Sequence, residues 1–196
     1  MSLSNPQRLG IGLLLAAAML LTRMNHFGAI PDASWAVFFL GGAYLRPQSR
    51  WAFPLGMVLA VLVDWWVIRA SGQSFWAHYC VSVAYWFLVP SYLALWLGGV
   101  LLARNYRGLA LPSLAWLAGS FVVATSACFV LSNGSFYWLG DAVANATLAG
   151  WGKNLGDWYL PYLYTAAMYV GGAAVVHVAV ALLAGKAAVA GPAAAR

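Results

Sequence analysis

Residues 33–45, "ASWAVFFLGGAYL", are apolar almost from end to end yet too few to cross a membrane comfortably. A span needs about 20 residues to bridge a hydrocarbon core of about 30 Å. Bounded by Asp32 before it and Arg46 and Pro47 after it, the run reads as a short helix over 33–46. Unequal or broken helices in a small bundle leave some helix ends inside the protein, where they line a cavity. The stretch is thus a first sign of a binding protein.

The rest of the chain supplies the longer neighbours. Apolar runs parted by Gly, Pro and charges predict helices at 8–24, 51–69, 74–103, 110–131 and 158–184, giving six in all. The fourth is longer than a bilayer needs, and Pro90 should kink or split it. With 64% hydrophobic and 7% charged residues and a mean hydropathy of +0.80, the 196-residue chain lies far outside the soluble range. It reads as one all-α transmembrane domain over 1–196, a multi-pass protein of the lipid bilayer, with a disordered tail at 186–196. The first run has only Arg8 before it and no small-residue cleavage site after it, so it reads as a retained helix.

The net charge of +6 does not point to nucleic acid, because the basic residues are scattered at the ends of apolar runs. They report topology instead. Six spans with a cytoplasmic N-terminus put Arg8, Arg46, Arg50, Arg104, Arg107, Lys186 and Arg196 inside, against Arg23, Arg69 and Lys153 outside. Both termini are then cytoplasmic. All four acids, Asp32, Asp64, Asp141 and Asp157, fall on the outer side, and the uneven connections lie there too. The longest, 132–157, is rich in Gly, Asn, Trp and Tyr and suits a lid over a ligand.

Within the outer half, residues 74–90, "SFWAHYCVSVAYWFLVP", carry Cys80 and His78. A free cysteine is often only a small core residue. A thiolate, however, is the softest ligand a protein has and selects soft or borderline metals. If 74–103 is one helix, His78 points about 200° away from Cys80, so the two form no chelate, and a zinc or iron site built by the protein lacks its ligands. A solitary thiol suits a metal that arrives already chelated with an open axial position, as in haem or a corrinoid. Cys128 has no such setting and reads as packing. On the same helix Tyr85 falls nearly on the face of His78 and within reach of the same cavity.

Asp64, in "VLVDWWVIRA", is an acid at or inside the hydrocarbon boundary, where charges are costly and usually partnered. Two readings stand: an ion pair with Arg23 or Arg69, or an acceptor for ligand amides and hydroxyls. Asn25 and His26 follow the first helix, where the chain turns outward, and are further candidate ligand contacts. Lys153 is another, in the last outer connection. His177 lies toward the cytoplasmic half and reads as a hydrogen-bonded helix contact. Interfacial belts account for most of the 11 tryptophans and 10 tyrosines, while Trp65, Trp66, Trp76 and Trp151 are candidates to wall a cavity. No nucleotide-binding loop, zinc-protease motif or Ser/His/Asp set is present, so active transport would draw on a partner or an ion gradient.

Small size, six apolar helices, a short second helix and equipped outer loops together resemble the S-components of energy-coupling factor (ECF) vitamin transporters. The lone cysteine in "WAHYCVSVAYW", with "RMNHFGAIPDASWAVFFLGGAYLRP", looks like the BtuM group of S-component-like vitamin B12 transporters. The resemblance implies a bacterial inner-membrane protein that binds cobalamin from the periplasmic side. It also implies that Cys80 is the axial ligand to cobalt. On ligand chemistry, a sulfur donor there would help expel the cyanide of cyanocobalamin from the opposite face. S-components dock on an energising module through an Ala-x-x-x-Ala surface of their first helix. Here "GIGLLLAAAMLL" offers Gly12-x-x-x-Ala16 and no full match, so a solitary transporter is the other expectation. A haem-binding subunit and an S-component for another vitamin are the competing readings.

Overall fold

A computed structural model describes residues 3–24, 31–78, 81–141 and 143–190, with backbone alone for 185–190. The candidate ligand residues Asn25, His26 and Cys80 lie outside the described residues. Six α-helices follow one another: α1 (Asn5–Arg23), α2 (Ser34–Tyr44), α3 (Ser49–Ala70), α4 (Leu88–Asn105), α5 (Leu111–Leu139) and α6 (Leu148–Ala190). Among the described residues there is no strand. Four stretches are long and apolar enough to cross a membrane: Arg46–Ala70, Val83–Asn105, Leu111–Leu139 and Leu148–Ala184. Large apolar side chains face outward along them, Leu111 at 81% exposure and Val175 at 70%, as lipid-facing surfaces require.

The short second helix is as expected, and its environment explains why it is apolar all round. At 11 residues it is about 16 Å long, half a hydrocarbon core. Ser34, Trp35, Ala36, Phe38, Phe39, Gly41, Gly42 and Ala43 are all buried. It crosses α4 at glycine: a β-carbon on Gly42 would collide with the Trp96 carbonyl, and one on Gly99 with the Phe39 carbonyl. Two backbones therefore touch with no side chain between them, the close approach that small residues permit in membrane bundles. Around this crossing the core is aromatic, with Phe38 stacked on Tyr92 at 4.4 Å and Phe39 edge-on to Phe121 at 5.5 Å. Cys128 is fully buried there with a free thiol, as its packing reading expects.

Capping sets the start of α1. Ser4 Oγ accepts from the Gln7 N–H, the Gln7 side-chain oxygen accepts from the Ser4 N–H, and Pro6 needs no donor in the first turn.

Three expectations need correction. Residues 74–103 are not one helix: 3-10 turns at Phe75–Ala77 and Val83–Phe87 precede α4, and His78 and Ser82 have extended backbone. Ser82 Oγ accepts from the Ala84 N–H at 3.3 Å and starts a new turn, and Pro90 then sits in the first turn of α4, where its missing N–H costs nothing. The helical angle between His78 and Tyr85 consequently does not apply, and the one between His78 and Cys80 lies outside the described residues. The long outer connection shrinks to residues 140–147, because α5 and α6 extend into 132–157 from both sides. Asn133 and Ser135, poor helix formers, are held by partners: Trp151 Nε1 donates to Asn133 Oδ1 at 3.1 Å, Asn133 donates to Asn154, and Ser135 Oγ donates to the Ser132 carbonyl at 2.9 Å. Tertiary pairing outweighs weak propensity here. The tail expected at 186–196 falls partly on α6, whose helical backbone runs to Ala190, and otherwise outside the described residues.

Candidate functional site

Helix alternation gathers the end of α1, the start of α2, the end of α3, the Val83–Phe87 turn and the start of α4 at one end of the bundle. Arg23, the last residue of α1, is buried there with its side chain 7% exposed. A buried guanidinium must be paired and hydrogen-bonded to persist. Its Nε donates to Asp64 Oδ1 at 2.7 Å and its Nη2 to Asp64 Oδ2 at 2.6 Å, a bidentate pair across α1 and α3. Its Nη1 faces Asp32 Oδ2 at 3.0 Å, Ser34 Oγ at 3.1 Å and the Tyr92 hydroxyl at 3.1 Å. Asp32 is fixed in turn, its Oδ1 accepting from the Ser34 N–H at 2.8 Å and the Ser34 hydroxyl at 2.6 Å. One arginine thereby ties α1, α2, α3 and α4 together.

Tyr85 joins the same network. Its hydroxyl donates to Asp64 Oδ2 at 2.7 Å, and its ring packs edge-on to Phe75 at 6.0 Å. Tyr85 and Asp64 are thus brought together, but against each other. Of the two readings of Asp64, the ion pair is realised, and its partner is Arg23, not Arg69. A carboxylate has about four acceptor positions. Three are occupied on Asp64, and the side chain keeps 18% of its exposure, which leaves room for one more donor. Tyr85 and Tyr92 also line an apolar crevice of about 290 Å³ with Met57, Val61 and Leu88.

Lys153 stands apart from this cluster. It sits on α6, 77% exposed, with its Nζ 2.6 Å from Asp157 Oδ2 one helical turn further on. The suggested tryptophans are likewise spread apart. Trp151 packs between α5 and α6, its ring 6.1 Å from that of Trp138, while Trp65, Trp66 and Trp76 are exposed. Among the described residues no three His, Cys, Asp or Glu side chains are grouped to hold a metal ion.

Sequence reasoning named Arg23 and placed Asp32 on this side but missed Ser34 and Tyr92. The available signal for Tyr92 was a hydroxyl within the apolar run "PSYLALWLGG", and for Ser34 its place directly after Asp32 at a helix start.

No protein-family model matches this sequence, and no curated protein matches it significantly. Fold and site together define an all-helical, membrane-type bundle with a buried charge network closing one end.

Proposed function

We propose that this chain binds cobalamin and carries it across a bacterial inner membrane, with Cys80 as axial ligand to cobalt. In this reading six helices span or enter the bilayer, both termini are cytoplasmic and the Arg23 end faces outward. The observation that carries the reading is the pair of 3-10 turns, Phe75–Ala77 and Val83–Phe87, that flank Cys80 in the sequence. His78 and Ser82, the described residues nearest to it that end and begin those turns, have extended backbone. Irregular backbone at membrane depth occurs where it lines a cavity or is buried in protein. The segment adjoins a rigid floor, since Tyr85 just beyond it is hydrogen-bonded to Asp64. The resemblance of "WAHYCVSVAYW" to the BtuM group supplies the identity of the ligand.

The chemistry follows from ligand exchange. With cyanocobalamin bound, the Cys80 thiolate would donate an electron pair to Co(III) in place of the ligand on the face opposite cyanide, which leaves with its own pair; cyanide would then leave with its pair, take a proton from solvent and be replaced by water. Cobalt keeps its oxidation state. Asn25, His26, Asp64 and Lys153 are the proposed contacts to the corrin rim. Docking to an energising module remains part of the proposal only through the Gly12 and Ala16 surface of α1. Gly12 has just Leu45 Cδ1 near it at 3.7 Å, so a partner helix has access.

The test is the absorbance spectrum of purified protein incubated with cyanocobalamin, compared with Cys80→Ala. A shift of the corrin bands with release of cyanide, both lost in the variant, is expected. Identical spectra for the two proteins would sink the assignment, and a Soret-type band in the protein as purified would favour haem.

A further inference from the structure

At the end opposite Arg23, His177 of α6 is bonded through both ring nitrogens: Nδ1 lies 3.1 Å from the Tyr44 hydroxyl and Nε2 2.7 Å from the Tyr106 hydroxyl. Counting protons shows what this leaves over. A neutral imidazole has one N–H and one bare nitrogen. One tyrosine therefore donates to the ring, while the other accepts from it and keeps its own hydroxyl hydrogen. If the ring is doubly protonated, both tyrosines accept and both hydrogens are left. In every protonation state at least one phenolic O–H has no acceptor among the described residues.

That spare donor opens on a cavity of about 410 Å³ between α2, α4, α5 and α6, walled mainly by apolar side chains such as Leu40, Leu102, Leu117 and Val170. An apolar pocket with a few convergent polar groups is the ordinary form of a small-molecule site. Three arginines adjoin wall residues along the chain. Arg104 and Arg107 flank Tyr106, Arg46 follows Tyr44 by two residues, and all three are exposed. None of them is ion-paired among the described residues. The backbone of Arg107 is held beside the wall, between the lining residues Tyr106 and Gly108, by donating its N–H at 2.9 Å to the hydroxyl of Ser113, another lining residue. The N-terminus of α5 begins at Leu111, also in the wall, and its dipole favours an anion.

We infer that this cavity binds an anionic phospholipid, one acyl chain within the apolar pocket and the phosphate or ester oxygens accepting from the spare tyrosine hydroxyl and the three arginines. Basic pockets between membrane helices take acidic lipid headgroups in this way. The inference is independent of the cobalamin reading, since it concerns other residues at the other end.

Native mass spectrometry of the full chain in detergent tests it, with phosphatidylglycerol and phosphatidylcholine of identical chains as probes. Phosphatidylglycerol should be retained about ten-fold more strongly, and Tyr44→Phe/Tyr106→Phe, which keeps both rings but no hydroxyl, should weaken retention of both lipids, since both carry the phosphate and ester oxygens. Arg107→Gln, an exposed change that leaves the fold intact, should weaken phosphatidylglycerol and not phosphatidylcholine. Equal retention of the two lipids by the parent chain, undiminished retention in Tyr44→Phe/Tyr106→Phe, or an undiminished preference in Arg107→Gln overturns the inference. So does stronger retention of a decyl-quinone than of phosphatidylglycerol, which would make the occupant a carbonyl-bearing quinone.

Discussion

Arg23 and Asp64, 41 residues apart in the chain, share two parallel N–H···O bonds of 2.7 and 2.6 Å in a largely buried setting. Such a pair is weak evidence for added stability as a unit but costs much to break, because the survivor is left charged and desolvated. Arg23→Gln should therefore destabilise the bundle by about 3–5 kcal/mol, lowering its melting temperature by about 9–15 °C. Thermal unfolding in detergent measures this. Arg23→Met with Asp64→Leu should recover part of the loss, and a double variant less stable than Arg23→Gln would count against the explanation.

Tyr85→Phe removes one donor to a carboxylate and nothing else of its shape. The expected cost is about 1–2 kcal/mol, read as a fall of about 3–6 °C in melting temperature. If Tyr85 acts only through Asp64, Tyr85→Phe should add nothing further in an Asp64→Leu background, which has no acceptor, and a full additive effect there would reveal a separate partner.

The crossing of α2 and α4 has no spare volume. Gly42→Leu or Gly99→Leu should prevent recovery of monodisperse protein by size-exclusion chromatography, since the obstacle in each case is a backbone carbonyl that cannot rotate away. Gly119→Ala on α5 is the contrast. Nothing lies within 4 Å of the new methyl group, so this variant should be equal to or about 0.5–1 kcal/mol more stable than the parent.

Lys153 offers a clean separation of structure from ligand binding. Its pair with Asp157 is solvent-exposed, and such pairs contribute little. Lys153→Ala should leave the melting temperature within about 2 °C of the parent. Weakened cobalamin binding at unchanged stability would assign the side chain to the ligand, whereas unchanged binding would remove it from the proposed site.

How much of this was legible in the sequence depended on whether the signal was local. The short α2 could be read because its apolar run is bracketed by Asp32 and Pro47. The break before α4 could not, because "SFWAHYCVSVAYWFL" holds no Gly or Pro, and an apolar run gives the same pattern as 3-10 turns or α-helix. What decides it is a Ser82 cap and the reach of Tyr85 toward Asp64, a tertiary bond. In 132–157 the abundance of Gly and Asn argued for a loop, yet Asn133 finds Trp151 and Asn154 on the facing helix. Arg23 could be nominated as the partner of Asp64 from topology alone. That Ser34 and Tyr92 complete its shell could not, since which side of α4 faces α1 is settled only by packing.

The glycine contacts between α2 and α4 carry a mechanical consequence. Side chains in an ordinary helix interface can change rotamer and let one helix slide on the next, but Gly42 against the Trp96 carbonyl and Gly99 against the Phe39 carbonyl leave no such bearing. The two helices are keyed together like a bolt through a frame. Any rearrangement of this bundle has to carry α2 and α4 as one piece, with the give taken up where α1, α3 and α6 meet them.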